Sequence, residues 1–129
     1  MEYLYLFDNA SIAIWVIEYL KQRPELPLEY VTVVHLPSGW LIRVKFDGSI
    51  QDKLEMNFRA VMKEFGYPCV PSSVMSTALV SLAKGQTPTE VMQRYQIAIV
   101  VHGKPNREEI EAFQQQVIQG LGACPNSLQ

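Results

Sequence analysis

The sequence predicts an α+β fold in which helices cover one antiparallel β-sheet. Two β-rich runs joined by Pro37-Ser38-Gly39 are typical of a β-hairpin. On either side of this hairpin, short apolar runs typical of strands alternate with stretches whose apolar residues have helical spacing. The chain has 129 residues, of which 48% are hydrophobic and 19% charged, and this suits a single folded domain over residues 1–129.

The first strand and helix are predicted at the N-terminus. Tyr3–Phe7 is rich in aromatic residues, which favours a strand. Asp8 and Asn9 follow with short side chains that accept hydrogen bonds from the first amides of a helix, so we expect a helix over Ala10–Gln22. Its apolar residues also fill the side away from the main stripe, and this helix therefore lacks a polar face.

The hairpin joins Tyr30–Leu36 to Trp40–Phe46. Proline in the first turn position and glycine in a left-handed position predict a type I turn with a bulge, in which Leu36 faces Trp40. Counting outward in pairs gives one core face of Tyr30, Thr32, Val34, Leu36, Trp40, Ile42, Val44 and Phe46. The other, mixed face carries Val31, Val33, His35, Leu41, Arg43 and Lys45.

The span 49–94 is predicted to be helical in several parts. A capping box at Ser49 begins a helix that ends at Gly66. A second helix covers Val74–Lys84, with Ser72 or Ser73 as its N-cap, and Thr87-Pro88 begins a short third one.

The last strand and helix follow this span. Gln96–Val101 is predicted to be a strand, and its unbroken apolar run indicates burial on both faces. Asn106 is expected to cap a final helix with the apolar stripe Ile110, Phe113, Val117 and Leu121.

The order of these elements matches the split βαβ pattern. We therefore expect a ferredoxin-like βαββαβ sandwich with a helical insertion before the last strand and an extra C-terminal helix. The right-handed crossover rule places strands one and three at the centre of the sheet and strands two and four at its edges. His35 and His102 would then lie at the same end of the two edge strands, about 14 Å apart, which is too far to share a metal ion.

Composition and motifs exclude several classes of function. A formal net charge of −2 argues against general binding of nucleic acid. Cys69 and Cys124 lie far apart without the spacing of a zinc site or a disulfide framework, and the standard nucleotide, protease and calcium motifs are absent. No cofactor, no metal and no catalytic residue is therefore predicted.

The location of the protein in the cell is predicted from the lengths of its apolar runs. The longest uninterrupted ones, Ile12–Ile17 and Ile97–Val101, fall far short of the ~20 residues that span a membrane. The N-terminus has no basic region before an apolar stretch, which argues against a signal peptide. We expect a soluble, cytoplasmic protein without membrane partners.

The candidate site is the mixed sheet face, extended by two aromatic residues of the first strand. It comprises Tyr3, Tyr5, Val31, Val33, His35, Leu41, Arg43 and Lys45. Aromatic rings beside basic residues resemble the base-stacking face of RNA-recognition motifs, but Trp40–Phe46 lacks the glycine and aromatic pattern of such proteins. Binding of single-stranded RNA is therefore the least favoured interpretation.

The surplus of apolar surface suggests what this face does. The first helix and the last strand together offer more apolar area than one sheet and two helices bury, so either the inserted helices or a second copy must cover the face. We predict a non-enzymatic homodimeric protein-interaction or regulatory module, whose partner is itself or another protein. The alternative is a small-ligand binding protein or small enzyme with its site between the sheet and the inserted helices. On the predicted register, Ile42→Asp unfolds the protein, whereas Val33→Asp mainly disrupts association.

Overall fold

The computed structural model describes residues 2–121, with side chains as far as residue 115. Five strands and five helices lie in this part of the chain. The strands are β1 (Glu2–Phe7), β2 (Leu28–Leu36), β3 (Gly39–Phe46), β4 (Tyr67–Pro68) and β5 (Ala98–Gly103). The helices are α1 (Ala10–Lys21), α2 (Asp52–Phe65), α3 (Ser73–Ala83), α4 (Pro88–Tyr95) and α5 (Arg107–Leu121).

The strands form one antiparallel open sheet in the order β4-β1-β3-β2-β5. The predicted α+β class is confirmed, and this order is compatible with a ferredoxin-like type of sheet. The predicted place of the last strand is wrong, because β5 pairs with β2 and not with β1. The two-residue strand β4 occupies the outer edge of β1, and α3 and α4 carry the chain over to the opposite edge of the sheet.

Side chains cap the N-termini of most helices, as the sequence predicts. Oxygen atoms of four residues accept hydrogen bonds from amides in the first helical turn: Asn9, Ser72, Thr87 and Asn106. The predicted capping box at Ser49 is wrong. Helix α2 begins only at Asp52, after Gln51, whose side chain makes no capping bond. Buried Ile50 belongs to the non-helical segment before α2 and packs against the core.

The hairpin is confirmed, but its predicted register is wrong by one residue. Leu36 pairs with Gly39 and His35 with Trp40, so only Pro37 and Ser38 form the loop. These residues fit the type I turn signature, with proline second and glycine fourth. Because side chains alternate between faces, the shift moves every residue of the predicted run Tyr30–Leu36 to the face opposite the predicted one relative to β3.

One face of the sheet, called here the α1 face, packs against α1, α2 and α5. The sheet contributes Tyr5, Phe7, Val31, Val33, Trp40, Ile42, Val44 and Phe46 to this cluster. The helices contribute Ala13, Val16, Ile17, Leu20, Phe58, Met62 and Ile110, among others. This is the larger of the two apolar clusters.

The other face, called here the α3 face, is covered by α3 and α4. Its apolar cluster consists of Val34, Leu41, Ile99, Met75, Ala78, Leu79, Leu82 and Val91. Of the two ways in which the sequence allowed the apolar surplus to be buried, the structure therefore has the inserted helices over the sheet.

Strand β5 is buried on both faces, as predicted. Its pairing with β2 advances from Val101 to Ile99 while β2 advances by a single residue, so Val100 is an extra, bulged residue. The bulge sends Val101 into the cluster of the α1 face and Ile99 into the cluster of the α3 face.

Helix α5 packs on the α1 face through the first half of its predicted stripe. Ile110 is fully buried, and the Phe113 ring lies 5.3 Å from His35 and 5.8 Å from Trp40. The side chains of Val117 and Leu121 lie outside the described residues, as does Cys124.

Candidate functional site

A row of polar side chains crosses the α3 face at one end of the sheet. Strand pairing places Arg43 of β3 between Leu4 of β1 and Thr32 of β2, with His102 of β5 next to Thr32. Arg43, Thr32 and His102 are called here the polar row. Two residues further along the same face lie Glu2, Lys45 and Tyr30.

Arg43 is the most unusual member of this row because its charge is buried. The residue is 4% exposed. Its Nη1 donates to the Leu79 carbonyl oxygen of α3 at 3.2 Å, its Nη2 donates to the Tyr30 hydroxyl at 3.1 Å, and its Nε is buried without a partner. A guanidinium stays charged in proteins, and removing a charge from water is costly unless an opposite charge compensates. Here the hydrogen-bond acceptors are both neutral.

The carboxylate nearest to Arg43 belongs to Glu2. Its Oε1 lies 3.9 Å from Arg43 Nη1 and 3.7 Å from Lys45 Nζ. The Arg43 distance exceeds that of a hydrogen bond, and the Glu2 side chain is 45% exposed, so water screens the attraction. Glu2 therefore balances the buried charge only in part.

A cleft of about 280 Å³ adjoins Arg43 and is called here the Arg43 cleft. It lies between the N-terminal half of β1 and helix α3. Its lining residues are Glu2, Tyr3, Leu4, Arg43, Cys69, Pro71, Ser76, Leu79 and Val80. Most of the wall is apolar, with the guanidinium as its buried charged group, and the volume suits a small molecule.

A second cleft of about 500 Å³ lies between β1 and α2 and is called here the Arg59 cleft. Both clefts share Glu2, Tyr3, Leu4 and Cys69. Strand β4 pairs only with Tyr5 and Leu6 of β1, so the beginning of β1 lies beyond this pairing. The Arg59 cleft is further lined by Tyr5, Glu55, Arg59, Lys63, Pro68 and Val70.

Two tyrosines, Tyr3 and Tyr5, line these clefts. Burial raises the pKa of Tyr3 to about 12, and the nearby Glu55 carboxylate adds to this shift. Burial also raises the pKa of Tyr5, against the opposing charge of Arg59. Both phenols are therefore protonated at neutral pH, and the Tyr3 hydroxyl oxygen is buried rather than open to the clefts.

Cys69 lies between the two clefts, where its amide donates to the Leu4 carbonyl oxygen at 3.0 Å. Burial raises the pKa of its thiol. A thiol with a raised pKa is a poor nucleophile, because the thiolate is the reactive form. Cys69 therefore serves as part of the wall.

Thr32 and His102 have the spacing of a nucleophile and its base. The Thr32 hydroxyl lies 2.8 Å from His102 Nδ1, and burial, reinforced by the charge of Arg43, lowers the pKa of this histidine. Thr32 is however 1% exposed, and neither residue lines the Arg43 cleft or the Arg59 cleft. The hydrogen bond joins β2 to β5, and a substrate cannot reach the buried Thr32 hydroxyl.

His35 lies on the opposite face, between Trp40 and Phe113, with ring centroids 4.8 Å and 5.3 Å away. Its pairing partner is Ala98, whereas His102 pairs with Thr32. The two histidines therefore lie on neighbouring strands, toward opposite ends of their pairing. The predicted arrangement on two separated edge strands at one end of the sheet is wrong, because β5 joins β2.

The two histidines make the stability of the protein depend on pH. Burial lowers the pKa of His35, and burial together with Arg43 lowers that of His102. In the unfolded chain both titrate near about 6.5, so below this pH the unfolded state binds more protons than the folded state. The free energy of unfolding should be largest above about pH 6.5 and decrease as the pH falls through this value.

Urea unfolding followed between about pH 7.5 and pH 5.5, above the range in which carboxylates titrate, measures this decrease. His35→Phe keeps an aromatic ring beside Trp40 and Phe113 and removes one titrating group. We expect a smaller decrease in the variant than in the natural protein. Equal decreases in both proteins would contradict the contribution of His35.

The structure divides the predicted site residues between the two faces. Tyr3, Tyr5, Val31, Val33 and His35 belong to the α1 face, and Leu41, Arg43 and Lys45 to the α3 face. The single open face predicted for them is wrong, because helices cover both sides. Only Tyr3, Tyr5 and Arg43 of this set line the two clefts.

Sequence reasoning missed several residues around Arg43. Tyr30 and Thr32 were assigned to the opposite face by the one-residue error in register, and Glu2 was not considered. A two-residue type I turn over Leu36–Gly39 was the signal in the sequence that would have placed Tyr30 and Thr32 beside Arg43. The Leu79 carbonyl oxygen is a backbone group, and no side-chain pattern indicates its position.

No protein-family model matches the chain, and comparisons with curated proteins and with solved structures found no match. Within residues 2–121, no helix is long and apolar enough to cross a bilayer. In the same range, no three metal-ligating side chains of His, Cys, Asp or Glu come together. The geometry of the two clefts is therefore the main indication of function.

Proposed function

We propose that the protein is a non-enzymatic binding module for a small organic acid, held in the Arg43 cleft with its carboxylate on Arg43. The observation that carries this proposal is the buried guanidinium, whose Nε has no partner and whose nearest carboxylate, Glu2, is 3.9 Å away. This is the site between the sheet and the inserted helices that the sequence offered as the alternative to a homodimer interface.

The hydrogen-bonding capacity of Arg43 supports this proposal. A guanidinium has five N–H donors, and the bonds to Leu79 and Tyr30 use one each from Nη1 and Nη2. The unused donors suit a carboxylate, which accepts charge-assisted hydrogen bonds from guanidinium groups in a planar arrangement. A bound carboxylate would take the place that Glu2 fills incompletely.

The apolar walls define the rest of the ligand. The apolar lining residues are Leu4 of β1, Leu79 and Val80 of α3, and Pro71 of the segment after β4. Burying a hydrocarbon part against them is favourable at roughly 25 cal/mol per Å². The ligand is therefore an acid with a short apolar body, and a fully hydrated inorganic anion fits less well.

The Arg43 cleft lies between strand β1 and the inserted helix α3. We infer that β1, α1, β2, β3, α2 and β4 form a ferredoxin-like βαββαβ unit, since β4-β1-β3-β2 is the strand order of that type. On this interpretation, α3, α4 and β5 are additions to the unit, and the cleft lies where α3 meets its edge. The predicted homodimer stays a prediction, and the covered sheet face gives it no support.

The test compares butyrate with butyramide, a neutral molecule of similar shape, by chemical-shift titration in NMR. We expect butyrate to bind more tightly and to shift the amide signals around β1, β3 and α3. Arg43→Met should weaken butyrate binding by about tenfold or more, since hydrogen bonds to charged groups contribute about 1.5–3 kcal/mol. Equal binding of butyrate and butyramide would overturn the proposal, and so would unchanged binding by Arg43→Met.

Two matched variants separate Arg43 from a general charge effect. Lys45→Met removes a cation that also approaches Glu2 but does not line the cleft, so butyrate binding should change little. Glu2→Gln removes the carboxylate that competes for Arg43, and butyrate should then bind more tightly. Weaker binding by Glu2→Gln would contradict this competition.

A further inference from the structure

We infer that the natural ligand of this site is a dianionic acid, with one acidic group on Arg43 and the second in the Arg59 cleft. This inference rests on the proposed function and adds the chemical class of the ligand. It is carried by the position of the two clefts, which meet around the beginning of β1 and share Glu2, Tyr3, Leu4 and Cys69.

The charges of the two clefts favour a second acidic group. Arg59 and Lys63 line the second cleft, and with Arg43 they give three cationic side chains against the carboxylates of Glu2 and Glu55. Glu55 pairs with Arg59 at 3.6 Å, and because the Arg59 side chain is about half exposed, water weakens this attraction. The formal net charge of the whole chain is −2, but the side chains that line the two clefts carry one more positive charge than negative charges.

The shared wall suits the middle of such a ligand. Leu4 and Tyr3 are both half-buried, and both line the two clefts. Among the described residues, no strand pairs with the outer edge of β1 before Tyr5, and the Cys69 amide bonds the Leu4 carbonyl oxygen, so the open part of this edge is Glu2 and Tyr3. A short hydrocarbon linker is thus able to pass from one cleft to the other over this edge.

The experiment measures the affinities of adipate and hexanoate, which have the same carbon chain and differ in one terminal carboxylate. We expect adipate to bind about tenfold more tightly, the effect of one additional charge-assisted contact. Arg59→Met and Lys63→Met should each reduce the ratio of the two affinities toward one. Lys53→Met is the matched control, because Lys53 is an exposed lysine of α2 that lines neither cleft.

The outcomes distinguish this inference from the proposed function. Equal affinities for adipate and hexanoate, both reduced by Arg43→Met, would overturn the dianionic ligand and leave the proposed function standing. If adipate still binds more tightly than hexanoate in Arg59→Met and Lys63→Met, the assignment to the Arg59 cleft is overturned. The same holds if Lys53→Met reduces the ratio of the two affinities as much as these variants do. Failure of both acids to bind would overturn the proposed function and this inference with it.

Discussion

Val33→Asp should unfold the protein. Val33 is fully buried on the α1 face, paired with the equally buried Ile42. Aspartate at this position places a carboxylate among apolar side chains, and this is among the few kinds of substitution that cost about 4 kcal/mol or more. Such a loss is a large part of the roughly 5–15 kcal/mol that stabilises a typical domain. Circular dichroism with urea unfolding measures the result.

This result differs from the one that the predicted register implies. On that register Val33→Asp disrupts association and only Ile42→Asp unfolds the chain, whereas the observed pairing makes both variants unfold. Val74→Asp is the matched control, since Val74 is 53% exposed in the first turn of α3, where a negative charge is favourable. Its stability should stay within about 0.5 kcal/mol of the natural protein. A folded Val33→Asp protein would contradict the observed register.

Gly39→Ala should destabilise the protein by about 3 kcal/mol or more, because strain and overlap act together. Gly39 has φ +144°, a conformation that side chains disfavour. A Cβ atom there would lie 2.3 Å from the Phe7 carbonyl oxygen of β1. This oxygen belongs to the backbone of a paired strand, so β1 would have to move away from β3.

Gly48→Ala separates these two causes. Gly48 has φ +78°, but nothing lies within 4 Å of a Cβ atom built on it, so only the backbone strain of about 1–2 kcal/mol applies. Thermal or urea unfolding of both variants gives the comparison. If Gly39→Ala costs no more than Gly48→Ala, the close contact of β1 with the turn is not as described.

Local features of the fold were predictable from sequence. Caps such as Asn9 and Thr87 act on amides within one helical turn, and the short-range pattern of apolar residues distinguishes strands from helices. The order of the strands depends on distant contacts. It was missed because β4 is only Tyr67–Pro68, and a proline argues against a strand in the sequence.

The candidate site was predictable only in part. Arg43 attracts attention because it interrupts an apolar strand between Ile42 and Val44, and it was included in the predicted set. Its surroundings depend on the register, which a single residue of loop length decides, and on the helix that covers the face. The helix α3 was predicted, but its packing beside Arg43 and the position of Tyr30 came from the structure.

The two edge strands of the sheet, β4 and β5, have features that hinder pairing with other chains. An exposed edge strand offers free amides and carbonyl groups to any extended segment, and proteins commonly block this with prolines or bulges. At one edge, Pro68 lies within β4 and Pro71 follows it, and proline has no backbone N–H to donate. At the other edge, the bulged residue Val100 interrupts the regular spacing of hydrogen-bonding groups along β5. Growth of the sheet by strand addition is thus disfavoured at both edges, and high concentrations of the folded protein should not seed fibrous aggregates.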